Sequence, residues 1–155
     1  MNFYTISTFR DVVASLLKKP REGYASLVAD ICNELQSMPD NILRDSNERI
    51  IQTSEYRVVK IRMANSGQKL SKANGFRLVY FVSLVTNDVV LLTVFPKRGA
   101  KGIENIPAAE YIRLQFEVIN ESKSKTLHQV DIVNGLAELS KIASLSGENP
   151  EPPDK

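Results

Sequence analysis

Nine of the chain's 20 Lys and Arg residues fall between Tyr56 and Gly102: Arg57, Lys60, Arg62, Lys69, Lys72, Arg77, Lys97, Arg98 and Lys101. Asp88 is the single acid of that stretch, while 11 Lys and Arg stand against 17 acids in the rest of the chain. A formal charge of +2 thus hides a basic centre of +8 within an acidic frame of −6. Guanidinium and ammonium groups gathered on β-strands are the footprint of a polyanion partner, because each donor can grip a phosphate oxygen. Lys60 and Arg62, two residues apart, project from one strand face. Arg77 opens a second strand, Lys69 and Lys72 lie on the connection between the two, and Lys97, Arg98 and Lys101 follow a third.

Other chemistries find less support. Cys32 is the only cysteine, which excludes an intrachain disulfide, and it falls in a helical apolar pattern as a small buried hydrophobe. His128 is the only histidine and lies late in the chain, where an ordinary surface or core residue is expected. No Cys/His cluster offers a metal site, no glycine loop cradles a phosphate, and no nucleophile elbow is present. Neither a metal nor a cofactor is expected. No carboxylate pair interrupts the basic stretch, which leaves Lys72 and Lys97, crowded by like charges, as candidate proton acceptors.

The elements that position these residues follow from periodicity. Asn2 to Ile6 reads as a short strand. Thr8 is expected to cap a helix, with Asp11 in a capping-box position, and Phe9, Val12, Val13, Leu16 and Leu17 form its apolar stripe until Pro20. Tyr24, Leu27, Val28, Ile31, Leu35 and Met38 mark a second helix ending at Pro39, so that the two make a helix hairpin. Asp40 to Ser54 reads as a loop. Period-two alternation then gives strands at 56–64, 75–85 and 89–95, joined as an antiparallel meander with a tight turn at Thr86-Asn87-Asp88. Pro107 opens a further helix whose buried side is expected at Ala108, Ile112, Gln115, Phe116 and Ile119. A last amphipathic helix is expected over 126–145, with Ile132, Leu136, Leu139 and Ala143 in one stripe, followed by a Pro-rich, charged tail. The expected class is α+β: an N-terminal helix hairpin packed on a small antiparallel sheet of three or four strands, followed by C-terminal helices. No apolar run reaches membrane-spanning length and no signal peptide is evident, so a cytoplasmic protein with no membrane partner is expected.

Five local patterns, in order, resemble the RelE/ParE superfamily of type II toxins, in particular its RelE/HigB-like branch. Ser7-Thr8-Phe9 resembles the family's "T-x-x-F" start, and Tyr56 to Ala64, with Lys60-Ile61-Arg62, its "YKIRLA" strand. Ser71 to Tyr80, with Gly75-Phe76-Arg77, resembles "GKSGGYRVIYY". Val90 to Lys97 resembles the strand ending "LLxIYxK", and Glu104-Asn105-Ile106 the "ENLS" helix opening. Where the family has "YxKSE" this chain has Phe95-Pro96-Lys97-Arg98-Gly99, without the tyrosine or the glutamate.

The resemblance implies a toxin domain over 1–121, and leaves a helical extension at 122–146 and a disordered tail at 147–155. It also implies an mRNA interferase acting in the ribosomal A site, held inactive by a cognate antitoxin in a toxin–antitoxin hetero-oligomer. The ribose 2′-hydroxyl attacks the adjacent phosphate and a 5′-hydroxyl leaves. Arg77, Lys72 and Lys97 are then the expected catalytic residues, and Lys60, Arg62, Lys69, Arg98 and Lys101 the expected RNA-binding ones. The alternative is a non-catalytic member that binds nucleic acid or protein, such as a ParE-like gyrase inhibitor.

Overall fold

A computed structural model describes residues 2–41 and 48–130. Among the described residues six strands form one mixed sheet: β1 (Phe3–Thr5), β2 (Glu48–Gln52), β3 (Tyr56–Met63), β4 (Phe76–Ser83), β5 (Val89–Pro96) and β6 (His128–Val130). Three α-helices among those residues accompany it: α1 (Ser7–Leu17), α2 (Leu27–Asn41) and α3 (Ala108–Ser124). The sheet order is β2-β3-β4-β5-β1-β6. All neighbours are antiparallel except β1, which pairs parallel with β5.

The class is therefore α+β, and β3-β4-β5 is the expected meander. The sheet is larger than three or four strands because three short segments extend it. Glu48–Gln52 lies in the stretch read as a loop, yet pairs with β3 across an irregularity between Arg49 and Ile51. Too few alternating residues mark such an edge strand for periodicity to reveal it. His128–Val130 lies where a helix was expected to have begun, and pairs instead with β1. The remainder of that expected helix, and the tail, lie outside the described residues.

Phe76, Leu78, Tyr80 and Val82 point from β4 toward the layer of α1 and α2, where Tyr24 packs its ring against Phe76 at 6.2 Å between centroids. α1 rests mainly on β5 and α2 on β3. Phe9, Val13 and Leu16 of α1, and Leu27, Ile31 and Leu35 of α2, are buried there. Tyr24 precedes α2 rather than opening it, and α2 runs two residues past Pro39. β5, apolar but for Thr93, is buried throughout, as befits a central strand covered on both faces.

α3 covers the opposite face. Its Gln115 amide donates to the Tyr56 hydroxyl, and Tyr56 stacks on Phe81 at 4.8 Å. The side it buries is Tyr111, Leu114 and Val118. The expected side was the other one: Ile112 and Phe116 are 51% and 59% exposed, and Ile119 is also exposed.

The start of α1 likewise departs from expectation. Thr8 is inside the helix, Ile6 occupies the cap position, and no side chain of α1 itself caps it. The free amides are met instead by α3: Ser7 N–H donates to Glu121 at 3.0 Å and Thr8 N–H to Glu117 at 3.1 Å. The Thr8 hydroxyl also donates to Glu117, at 2.6 Å. Two carboxylates at a helix N-terminus satisfy orphan donors and oppose the helix dipole favourably.

Gly75 holds the turn into β4 against β3. A Cβ there would lie 2.2 Å from the Met63 carbonyl oxygen and 2.6 Å from the Asn65 nitrogen, both backbone atoms. Gly75→Ala is expected to cost roughly 2–3 kcal/mol of unfolding free energy, read from the urea midpoint. A change within 0.5 kcal/mol would show that the turn yields.

The two carboxyls at α1 titrate in opposite directions. Burial pushes Glu121 up, and the neighbouring Glu117 carboxyl adds to this. Glu117 lies below the ordinary carboxylate range: burial opposes this, but hydrogen bonds from Thr8, Glu121 and Arg113 outweigh it. Glu121 thus contributes stability below its unfolded pKa and loses it as pH rises through its folded value, whereas Glu117 loses its contribution as pH falls. Glu121→Gln should therefore raise the urea midpoint at pH 7, with the gain shrinking as pH falls through the carboxylate range. A pH-independent difference would contradict this coupling.

Candidate nucleic-acid interface

The register of the meander decides which cations meet. Lys60 lies opposite Val79, Arg62 opposite Arg77, and Arg77 opposite Phe95. Directly opposed residues share a face, so Lys60, Arg62 and Arg77 stand on one side of the sheet, the side that α3 covers farther along. Lys97 continues this side just past β5, its N–H bonded to the Gly75 carbonyl at 2.9 Å.

Two carboxylates from outside the basic stretch join them. Glu48, paired with Lys60 in the ladder, places Oε1 3.3 Å from the Lys60 ammonium. Glu104 lies 3.6 Å from Lys97, which also donates to the Glu104 carbonyl at 3.1 Å. Both acids act on Arg77 through space. Lys60 also donates to Asn105 at 3.3 Å, and Asn105 accepts from the buried Tyr111 hydroxyl at 3.1 Å. Burial, then the field of Glu48, pushes the Tyr111 phenol up.

These cations differ in freedom. The Lys60 and Lys97 side chains are only 11% and 17% exposed. Arg77 is buried, and its guanidinium donates to the carbonyls of Lys72 at 3.0 Å, Phe76 at 3.3 Å and Ala73 at 3.1 Å. Its pKa is lowered by burial first and by the neighbouring Arg62 second. It therefore braces the 72–76 turn as well as charging the site. Arg62 is exposed and points its charge outward.

The remaining candidates stand elsewhere. Lys72 is exposed on the turn and lies near Glu34 of α2: burial raises that carboxyl and Lys72 works against it. Lys69 sits just after a 3-10 turn (Ser66–Gln68), in the left-handed region at φ 56°. Arg98 grips the Asn74 side chain at 2.8 and 3.2 Å. Lys101 turns to the α1 side, where it caps that helix through the Ser15 carbonyl at 2.8 Å and pairs with Glu22 at 3.6 Å. Lys101 is a structural cap rather than part of the cluster. Arg57 belongs to the same strand but is followed by Val58 before Lys60, so it alternates to the other face.

Glu48, Glu104, Asn105 and Tyr111 were not singled out individually from sequence. Glu104-Asn105 did carry one of the family-like patterns. Glu48 gave no signal, because its role depends on an edge strand that the pattern did not show. His128 is exposed on β6, away from the cluster, and burial then Arg10 lower its pKa. Cys32 is buried, which raises its thiol pKa. Among the described residues no three His, Cys, Asp or Glu side chains group as metal ligands, and no helix is long and apolar enough to cross a membrane.

Chemically, the cluster presents the exposed Arg62 guanidinium beside two lysines that each have an acid at hand. It can bind a phosphodiester, exchanging lysine–carboxylate pairs for lysine–phosphate ones, and the displaced carboxylates can take or give protons. Comparison with protein-family models, with characterised proteins and with solved structures finds no match.

Removing an acid frees its lysine. Glu104→Gln is expected to tighten binding of single-stranded RNA by roughly two- to fivefold at low salt, the worth of one exposed ion pair. Fluorescence anisotropy with a labelled oligonucleotide reads this, and an unchanged affinity would place the RNA away from Lys97.

Proposed function

We propose that the chain is an RNA-cleaving toxin of the RelE/HigB-like kind, acting on mRNA at the ribosome and restrained by a cognate antitoxin in a hetero-oligomer. The observation that carries this reading is the shared face of Lys60, Arg62, Arg77 and Lys97, with Glu48 and Glu104 among them. The helix–meander order resembling that family's, an α+β chain with β3-β4-β5 antiparallel, adds support.

In-line attack of a 2′-hydroxyl on its own phosphate requires a held nucleotide, charge neutralisation at the phosphorane and two proton transfers. Arg62 and Lys97 grip the phosphate oxygens in this reading. Arg77 supplies fixed positive charge from behind while keeping the 72–76 turn in shape. Glu104 or Glu48, once displaced from its lysine, accepts the 2′-hydroxyl proton, and Lys97 protonates the leaving 5′-oxygen. The carboxylates replace Lys72 as the acid–base candidates, since Lys72 stands near Glu34 on the α2 side.

A second reading is a non-catalytic binder, a ParE-like gyrase inhibitor among the options. It is favoured by one specific feature: Lys60 and Lys97 are already ion-paired and Arg77 is already bonded to three carbonyls.

Inducible expression followed by primer extension on cellular mRNA separates the two. New 5′ ends within coding regions are expected, falling by roughly 100-fold or more for Arg62→Ala and for Lys97→Ala, the usual cost of one donor to a transition-state oxyanion. Arg77→Ala is a poor control, because it strands three backbone carbonyls and so destabilises the fold. DNA breaks with intact mRNA would establish the second reading. Full cleavage by both variants would remove the cluster from the chemistry.

A further inference from the structure

One carboxamide beside the cluster is held in a single orientation, with its donor end left over. The Asn105 Oδ1 accepts from the Lys60 ammonium at 3.3 Å, the Tyr111 hydroxyl at 3.1 Å and the Ile106 N–H at 2.9 Å. These donors come from β3, from α3 and from the adjoining main chain. All three require an oxygen, which settles which end of the amide faces them. Nδ2 is the end turned away, and it meets no acceptor among the described residues. Asn105 is exposed, so its N–H bonds can be reached from outside.

The setting of this donor gives it a use. Lys97 bonds the Glu104 carbonyl at 3.1 Å, so residues 104 and 105 together bridge Lys97 and Lys60. Oδ1 and Nδ2 lie about 2.3 Å apart on one carbon, which puts Nδ2 within about 6 Å of the Lys60 ammonium. One phosphate group spans that gap with an oxygen on each donor. Lys60 spends one proton on Asn105 and one on Glu48, and keeps a third.

We infer that Asn105 is a phosphate-binding residue of this face: Nδ2 donates to a nonbridging oxygen of the RNA backbone while Lys60 neutralises the same phosphate. The inference rests on the RNA reading above and adds how the backbone is gripped. Two features set the ligand's chemistry. Asparagine reads adenine by accepting through Oδ1 and donating through Nδ2 at once. With Oδ1 filled, Asn105 can take only an acceptor. The ammonium on Oδ1 also draws charge out of the amide and strengthens its N–H bonds, which suits an anionic oxygen. Because the side chain is fixed beforehand, little rotamer freedom is lost on contact. Asn105 therefore holds backbone whatever the base.

A labelled 2′-O-methyl oligonucleotide, which lacks the attacking hydroxyl, tests this with a single methylphosphonate moved from one phosphate to the next. Fluorescence anisotropy reads the affinity. Asn105→Asp keeps an oxygen for Lys60, Tyr111 and Ile106 but loses the donor. Its urea midpoint is expected to match the wild type, and its affinity to fall roughly tenfold or more. In the wild type one methylphosphonate position is expected to weaken binding by a similar factor, and in Asn105→Asp that position is expected to cost nothing further. Coupling spread evenly over all positions reduces the effect to the added charge and overturns the proposal. A loss that follows base sequence overturns it too. Unchanged affinity in Asn105→Asp, with Lys60→Gln weakened, ends this inference and leaves the RNA reading standing. A wild-type chain that binds neither this probe nor native RNA ends both. If circular dichroism shows Asn105→Asp unfolded, Asn105→Ser, which removes the amide without adding charge, is scanned in the same way. Coupling at one phosphate then supports the proposal, and none ends it.

Discussion

Two guanidinium groups directly opposite each other on neighbouring strands are a destabilising arrangement, and Arg62 against Arg77 is such a pair. Much of the surrounding structure can be understood as the answer to it. Arg77 turns its donors into the carbonyls of the 72–76 turn, which spreads its charge over three hydrogen bonds of the charge-assisted kind, each worth about 1.5–3 kcal/mol. Glu48 and Glu104 bring negative charge within range from β2 and from the approach to α3. Gly75 lets that turn close onto the backbone of β3, without which the carbonyls would not reach the guanidinium. Arg62 alone is left facing solvent. The fold thus holds two like charges side by side by balancing one of them from within.

Basic residues crowded in sequence thus separate into two kinds once folded. Lys101 and Arg98 serve the scaffold, the first closing the end of α1 and the second tying the Asn74 turn. Lys60, Arg62 and Lys97 serve the open face. The division explains how a segment of +8 can be folded at all: its charge is distributed over both layers, and the acids that balance it come from outside. The net field at the open face is correspondingly moderate, a few charges rather than nine.

What the sequence made legible was local and periodic. The apolar stripe of α1, the alternation in β3 and the nearly continuous apolar run of β5 each state their burial directly. So did the sharing of a face by Lys60 and Arg62, which needs only the two-residue period of a strand. The opposition of Arg62 and Arg77 required the register as well, and register is set by the Gly75 turn and by pairing across 14 intervening residues. Glu48 was illegible because β2 is a five-residue edge strand with only Ile50 and Ile51 to announce it. β6 was illegible for the opposite reason: His128-Gln129-Val130 lies in a stretch whose wider pattern is helical, and pairing with β1 overrides that preference locally.

α3 poses the sharpest question about what pattern can decide. Two apolar stripes run along it, Tyr111-Leu114-Val118 and Ile112-Phe116-Ile119, and transfer free energy alone scarcely distinguishes them, since each carries three large side chains at about 1.5–3 kcal/mol apiece. Polar contacts make the choice. With the first stripe inward, the Tyr111 hydroxyl reaches Asn105, Gln115 reaches Tyr56, and Glu117 and Glu121 meet the free amides of α1. Turning the helix by one residue, about 100°, would bury the second stripe and abandon all four contacts, leaving the α1 amides without acceptors. Hydrophobic pattern therefore establishes that α3 must lie on something apolar, while hydrogen bonding establishes which way round it lies. The stripe left outside is the cost of that choice.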